Sequence, residues 1–123
     1  MYNYFMLMGT VCREIEVKEV GDGKRVVSLS LACQKPYQNT DGSRGTDFFN
    51  IQLWEYLADS AHELLTVGSR IGIKGRLYPK MVTLDTGAKI THNELIGERL
   101  IIMSRKSEYA ETLIPAEEEK EAN

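Results

Sequence analysis

Two large aromatic residues, Phe48 and Trp54, stand at the ends of a short stretch in which the alternate positions are the amides Asn50 and Gln52. If this stretch is a β-strand, alternate side chains lie on opposite faces, so these four residues share one face. The opposite face has the composition of a core, with Phe49, Ile51 and Leu53. Aromatic rings among amides suit the stacking of nucleic-acid bases. The alternative is that both rings pack under a helix or against a second subunit.

A second stretch places cations beside an aromatic residue. From 70 to 78 the apolar residues take one phase of a strand, and the other phase contains Arg70, Lys74, Arg76 and Tyr78. The outward positions of an earlier strand, Ser28 and Ser30, lead towards Lys35 and Tyr37. Proteins that bind single strands combine such cations, which hold phosphates, with aromatic platforms for the bases. The alternative is an ordinary solvated charged face.

Further cations fall at expected turns and loops, where they can contact a strand wrapped around the protein. They are Lys24, Arg25, Arg44, Lys80 and Lys89.

The elements that position these residues follow from turn residues and from the spacing of apolar side chains. Glycine-containing turns near 21–23 and 41–42 divide the first half into extended runs over 4–17, 26–34 and about 47–54, and Gly9 marks a bend in the first run. Apolar residues then recur at helical spacing, and Gly68 is placed to cap that helix; they are Leu57, Ala58, Ala61, Leu64 and Leu65. Two more strands follow, over 70–78 and up to 100–103, with a turn at 85–87.

This order predicts an all-β protein with an OB-fold, a five-stranded Greek-key barrel with one short helix between strands three and four. Residues 1–106 are expected to form this single domain. Residues 107–123 are expected to be a disordered acidic tail, because they combine one lysine with six glutamates and few apolar residues. Residues 1–106 contain 14 Lys and Arg and 12 Asp and Glu, so this part of the chain is mildly basic. The net charge of −3 for the whole sequence therefore does not exclude a nucleic-acid partner.

Composition also narrows the setting of the protein. The sequence of 123 residues has no apolar run of the roughly 20 residues that a membrane helix needs, and the apolar run over 4–8 is too short and lacks the basic leader expected of a signal peptide. We therefore expect a cytoplasmic protein that does not interact with membranes. Cys12 and Cys33 lie far apart without a zinc-like spacing, so two reduced thiols in or near the core are expected.

Four segments in order resemble the bacterial single-stranded DNA-binding protein family: 3–11, 27–32, 46–54 and 68–77. The resemblance covers about residues 1 to 104. It implies an OB-fold, most often a homotetramer although a dimer is possible, that coats single strands in DNA replication, recombination and repair and is associated with the bacterial nucleoid.

Carried over by position, the resemblance assigns stacking roles to three aromatics: Tyr37, Phe48 and Trp54. A further aromatic of the family, in the last hairpin, has no counterpart here, since its place falls on Met81 or Val82. Tyr78 lies nearby in sequence and is the candidate to compensate.

The tail departs from the family pattern. Members of the family end in an acidic tip closed by Pro-Phe, whereas this sequence ends Glu121-Ala122-Asn123. We therefore do not expect recruitment of repair proteins through that tip. Our hypothesis is a specialised member, encoded on a mobile element.

Two other functions occur on the same fold, that of a nuclease and that of a protein-docking module. A nuclease would need clustered carboxylates for a metal ion, and none of Asp47, Glu55, Asp85 or Glu94 is paired at a metal-binding spacing. His62 and His92 stand alone, so no metal, no cofactor and no enzyme activity are expected. A protein-docking or primosomal assembly module on the same fold is the other alternative. The aromatic residues beside a basic stripe favour DNA binding over docking.

Overall fold

The structure is a computed structural model and describes residues 2–104. Its strands in chain order are β1 (Phe5–Val11), β2 (Lys18–Val20), β3 (Lys24–Gln34), β4 (Thr46–Trp54), β5 (Arg70–Thr83) and β6 (Lys89–Ser104), with one helix, α1 (Tyr56–Leu64), between β4 and β5. The expected acidic tail at 107–123 lies outside the described residues.

The strands form one sheet that closes on itself. Its order is β1-β5-β6-β4-β3-β2, and β1 also pairs with β3 at Thr10 and Val11, which completes the ring. All pairings are antiparallel except β4 with β6, which run parallel at Ile51–Leu95 and Gln52–Ile96. A closed barrel with a helix between its third and fourth long strands is the OB-fold, so the predicted fold is confirmed.

The core is built by strict alternation along the barrel strands. Ile51 and Leu53 of β4 are fully buried, and Ile71 and Ile73 of β5 meet them; β3 adds Val27, Leu29 and Leu31. Each such side chain contributes roughly 1.5–3 kcal/mol by leaving water. Ala58 and Ala61 of α1 join the same core cluster. The side chains left on the outer face are therefore the ones available for binding.

The structure differs from the sequence prediction at the first strand. The run expected over 4–17 ends as a strand at Val11, after which the Cys12 N–H makes one further hydrogen bond in the β1–β3 register, to the Ser30 carbonyl at 3.1 Å. The chain then leaves the barrel wall and returns as β2, a short strand paired with the start of β3. Residues 12–17 are thus free to form a wall beside the sheet rather than a strand within it.

The prediction for Gly68 is wrong. The helix α1 ends at Leu64 and its C-cap is Leu65 in extended conformation, so no left-handed cap forms there. Gly68 does have a positive φ, of 100°, but in the turn that follows, where its N–H donates to the Val11 carbonyl at 2.8 Å. Apolar packing of Leu65 ends the helix early and leaves Gly68 to lead the chain into β5.

Two glycines allow the barrel to close. A Cβ on Gly9 would lie 2.4 Å from the Ala32 carbonyl oxygen, where β1 turns from β5 towards β3. A Cβ on Gly75 would lie 1.8 Å from the Ile96 carbonyl oxygen, at a register irregularity of β5. The bend predicted at Gly9 therefore has a steric basis.

Candidate nucleic-acid interface

A groove of about 720 Å³ runs along the outer face of β3 and β4. Its floor includes Phe48, Asn50 and Gln52 of β4, and the paired residues Ser28 and Ser30 of β3. The alternation expected for β4 is observed, since Asn50 is exposed and Phe48 and Gln52 are half-buried while Ile51 and Leu53 are buried. Polar, hydrogen-bonding side chains and one aromatic ring thus share an open concave surface.

The amide orientation of Asn50 is fixed within this floor. The Ser30 hydroxyl donates to the Asn50 Oδ1 atom at 2.9 Å, across the directly paired positions of β3 and β4. This hydrogen bond occupies the amide oxygen and leaves the Asn50 N–H donors facing the groove.

The opposite wall of the groove is the segment that sequence reasoning assigned to a strand. It is lined by Arg13, Glu14, Glu16 and Lys18, while Ile15 and Val17 pack against the core. In the sequence, the apolar residues Ile15 and Val17 alternate with polar neighbours. This pattern is compatible with a groove wall, but it predicts a β-strand equally well. Arg13 and Lys18 are thus candidate binding residues that the sequence analysis missed.

Trp54 closes the far end of β4 and is 38% exposed. It pairs with Val26, which also lines the groove. Trp54 lies six positions after Phe48, so their Cα atoms are about 20 Å apart along the strand. The two aromatic residues therefore mark opposite ends of one polar surface.

The cations predicted on β5 adjoin this surface through β6. Gln52 pairs with Ile96, and Ile96 pairs with Arg76, so a single row crosses β4, β6 and β5. The Arg76 guanidinium lies 5.8 Å from the Tyr78 ring centroid and 3.5 Å from a Glu98 carboxylate oxygen. Both Arg76 and Tyr78 remain exposed, so the structure places this cation and this aromatic together.

Lys74 has an aromatic neighbour that the sequence analysis did not single out. Its ammonium lies 5.4 Å from the centroid of the Tyr4 ring, which is 61% exposed. The Asn3 side chain holds this N-terminal segment, since it donates to the Leu77 carbonyl at 2.9 Å and accepts from the Leu77 N–H at 3.0 Å. Tyr4 lies two positions before Met6, whose side chain is on the outer face of β1. This spacing is the sequence feature that could have identified Tyr4 as an outward-facing residue.

Arg70 is exposed but does not join the groove along β3 and β4. It lines a separate concavity with Met8, Thr10, Gln34 and Met103. Arg76 lies in the same row as Gln52, whereas Arg70 is the first residue of β5 and lies apart from that row. The predicted stripe of cations on β5 is therefore divided.

Lys35 does not continue the outward row of Ser28 and Ser30. It follows β3 in the phase of Leu29 and Leu31, and its ammonium forms an ion pair with Asp47. That ion pair raises the pKa of the Lys35 ammonium, mainly through the hydrogen bond to Asp47. The expectation that Lys35 faces outward is wrong, because position 35 has the opposite parity to positions 28 and 30 and the side chain turns to Asp47.

The loop between β3 and β4 displays two other predicted residues. Tyr37 is 59% exposed, and Arg44 is exposed and donates to the Lys35 carbonyl at 3.3 Å. The tip is ordered by Asp41, which accepts from the Ser43 N–H at 3.0 Å and from its hydroxyl at 2.6 Å. These hydrogen bonds lower the pKa of Asp41, the hydroxyl bond being the larger cause.

The hairpin of β5 and β6 projects Lys80 and Lys89 into solvent. Met81, one of the two positions expected in place of the missing aromatic, is 64% exposed, and Tyr78 is 47% exposed on the same strand. Lys24 is also exposed, at the start of β3. Arg25, by contrast, is held by carboxylates, with its Nε atom 2.8 Å from Asp59.

Neither cysteine is part of a disulfide: Cys12 is buried and Cys33 half-buried. Burial raises the pKa of the Cys33 thiol to about 11, with smaller contributions from Asp47 and Cys12. Among residues 2–104, no group of three or more His, Cys, Asp or Glu is arranged to hold a metal ion. No helix in this range is long and apolar enough to cross a membrane.

The chain is similar to proteins from several bacteria that share one name, single-stranded DNA-binding protein. A single-stranded DNA-binding protein of Wolinella succinogenes is 29% identical over 108 residues, which are 86% of this chain and 67% of the relative. One from Halalkalibacterium halodurans is 29% identical over 98 residues, 80% of this chain and 58% of the relative. One from Staphylococcus aureus, numbered 1, is 28% identical over 107 residues, 87% of this chain and 69% of the relative.

The chain therefore spans about three fifths to two thirds of the length of these relatives. The model of the Single-strand binding protein family matches residues 2–103, which include the whole barrel and the groove on β3 and β4. The resemblance seen in the four sequence segments is thereby confirmed, and the chain belongs to the single-strand binding protein family.

Proposed function

We propose that this protein binds single-stranded DNA without sequence specificity and performs no catalysis. The observation that carries the proposal is the outer face of β4, where Phe48 and Trp54 flank the amides Asn50 and Gln52 above an open groove. Stacking on an aromatic ring contributes roughly 1–3 kcal/mol per base whatever the base, because every base has a π-face. The named relatives bind single-stranded DNA by their descriptions, which agrees with this assignment.

The charges around the groove support an orientation for the strand. The wall opposite β4 carries Glu14 and Glu16 together with Arg13 and Lys18, so its formal charges cancel and it offers no net attraction for phosphates. Bases are therefore expected inside the groove, with the phosphates directed to the exposed cations of β5 and the loops. The cations proposed for this role are Lys24, Arg44, Lys74, Arg76, Lys80 and Lys89, with Arg70 at the margin and Tyr37 and Tyr78 as further platforms.

A fluorescence titration tests this function. Trp54 is the sole tryptophan of the sequence, so added oligo-dT should quench emission from that position alone. The affinity should fall with salt, with a log–log slope near −0.7 for each phosphate neutralised. Saturating oligo-dT that leaves the emission unchanged would show that no base stacks on Trp54.

A matched pair of variants separates stacking from general aromatic contact. Phe48→Ala should weaken binding of oligo-dT, oligo-dC and oligo-dA by similar factors, since stacking does not read base edges. Tyr56→Ala is the control, because Tyr56 is 76% exposed but lies on α1, away from the groove. Equal affinities for these two variants would count against the proposed face.

We further propose that the protein assembles with copies of itself. Met6, Met8, Ile101 and Met103 are each about half exposed and share the outer face of β1, β5 and β6. Within the described residues, β3 pairs with β1 only at Thr10 and Val11, the C-terminal end of β1. The rest of this edge of β1 is therefore open to a strand from a second copy. Exposed apolar surface of this kind marks an interface.

A second apolar surface favours a tetramer over a dimer. Leu84 and Ile90 are exposed towards the tip of the β5–β6 hairpin, where Ile90 pairs with Val82, whereas Met8 pairs with Gly72 near the opposite end of β5. Two separate self-complementary interfaces on one chain generate a closed tetramer. In this state the protein would coat exposed single strands during replication, recombination or repair. A docking or primosomal module remains the alternative, and the oligo-dT titration distinguishes the two because docking requires no response from Trp54.

A further inference from the structure

The connection between β4 and α1 contains a strained residue. Glu55 has φ of 53° and ψ of −116°, and among the described residues it is the one non-glycine residue with a positive φ. Glycine occupies this region readily, whereas a side chain there is strained and persists only when neighbouring contacts hold it. Glu55 is also the N-cap of α1 and makes no side-chain capping hydrogen bond. Other contacts must therefore hold this turn.

Arg25 supplies those contacts from the neighbouring strand. Its backbone carbonyl accepts from the Glu55 N–H at 2.8 Å. Its Nη2 atom lies 3.0 Å from a Glu55 carboxylate oxygen, and its Nε donates to both Asp59 oxygens, at 2.8 and 3.1 Å. One residue thus binds Glu55 through both main chain and side chain, and also ties down the first turn of α1.

The strained turn directly follows Trp54. Trp54 is the last residue of β4 and pairs with Val26, the residue after Arg25. The direction of the indole ring depends on the backbone conformation at the end of β4. This backbone is held by the Glu55 turn that follows it and by its pairing with β3. Any relaxation of the Glu55 backbone would therefore turn Trp54 relative to the groove.

We propose that Arg25 is a positioning residue for Trp54: it holds Glu55 in its strained conformation and so fixes the indole where a base can stack on it. This inference rests on the proposed function, since it concerns the same DNA-binding face. It replaces the sequence-based role of Arg25 as a phosphate contact.

The surroundings of Arg25 disfavour a direct phosphate contact. Its guanidinium already faces two carboxylates, Glu55 and Asp59, which would repel a phosphate placed beside it. The adjacent Lys24 is exposed and, among residues 2–104, forms no ion pair. Lys24 is therefore a matched control, since its replacement removes the same charge from the same turn without touching Glu55.

The test measures oligo-dT affinity, Trp54 quenching amplitude and the salt slope in variants of the full chain. Arg25→Ala should reduce the quenching amplitude and weaken binding roughly fivefold or more, the loss of part of one stacked base, with an unchanged salt slope. Lys24→Ala, by contrast, should lower the magnitude of the salt slope by about 0.7, because Lys24 is a proposed phosphate contact and does not touch Glu55. Arg25→Lys should behave as Arg25→Ala, because an ammonium cannot reproduce the guanidinium fork.

A rescue variant isolates the backbone effect. Adding Glu55→Gly to Arg25→Ala should restore the quenching amplitude, because glycine adopts the same φ and ψ without strain and needs no clamp. A merely structural role for Arg25 would lower the melting temperature without changing the Trp54 signal of the folded protein. If Arg25→Ala does not fold, Arg25→Lys with and without Glu55→Gly provides the same comparison.

The outcomes separate the two proposals. An unmodified protein that shows no quenching with oligo-dT overturns the proposed function itself. Normal quenching in both the unmodified protein and the Arg25 variants, or a reduced salt slope in Arg25→Ala that Glu55→Gly does not restore, overturns the positioning role and leaves DNA binding standing.

Discussion

At the scale of single residues, the chemistry of this protein depends on which face of a strand each side chain takes. The sequence predicted the outward phase of Phe48, Asn50, Gln52 and Trp54, because amides and large rings alternate there with an apolar core set. Lys35 could not be placed in the same way. It directly follows β3 and keeps the phase of Leu29 and Leu31, so it pairs with Asp47 instead of facing the groove.

The thiol of Cys33 offers a prediction at the same scale. Burial raises its pKa from the ordinary 9.0 to about 11, so the native thiol should be protonated at neutral pH. At pH 8 we expect alkylation by iodoacetamide to be roughly 100-fold slower than for the unfolded chain, because only the thiolate reacts. Rates measured by mass spectrometry should rise tenfold per pH unit towards pH 11.

The corresponding effect on stability has a definite sign. A thiol whose pKa is higher in the folded state contributes stability that is complete below about pH 9 and is lost as the pH rises through about 11. Cys33→Ser should remove this loss above pH 9, since serine does not titrate there. A native thiol that reacts as fast as the unfolded one at pH 8 would contradict the burial argument.

At the scale of elements, the alternating strands and the helix could be predicted, whereas their junctions could not. Ile15 and Val17 alternate as a strand would, yet the segment forms a groove wall because the contact of β1 with β3 does not extend past Cys12. Local pattern does not specify such a long-range contact. Gly68 likewise had the signature of a helix cap, but the burial of Leu65 ended the helix first.

Gly75 tests how the barrel closes. A methyl group there would meet the Ile96 backbone carbonyl, with 1.8 Å between the added Cβ and the oxygen, and the backbone has little room to yield. Gly75→Ala should lower the free energy of unfolding by at least about 3 kcal/mol, the upper part of the range for overpacking. Urea unfolding followed by circular dichroism measures this loss.

Gly97 is the matched control for this substitution. It pairs with Gly75, and an added Cβ would approach the side-chain ends of Leu53 and Ile73, at 2.4 and 3.0 Å. Those ends can shift, so Gly97→Ala should cost less, about 1–3 kcal/mol. If Gly97→Ala proved the more destabilising of the two, the backbone contact of Gly75 would not be what closes the barrel.

At the scale of the whole molecule, the face of β1 joins the fold to the proposed assembly. The side chains directed inward, Phe5 and Leu7, pack against the core, while Met6 and Met8 between them are 52% and 56% exposed. The sequence contains both sets but does not distinguish them, because apolar residues on both faces of a strand also fit a buried central strand. The structure separates the two faces and shows which one is uncovered.

Met8→Glu should therefore reduce the oligomeric state, because a carboxylate buried in an apolar interface loses its hydration without a partner. Light scattering should report a smaller mass at the same protein concentration, while oligo-dT still quenches Trp54, since Met8 lies outside the groove on β3 and β4. Leu64→Glu is the control: Leu64 is 37% exposed on α1, away from β1, so the mass should not change. An unchanged mass for Met8→Glu would show that the outer face of β1 is not buried between copies, and the assembly would then have to form through the β5–β6 hairpin.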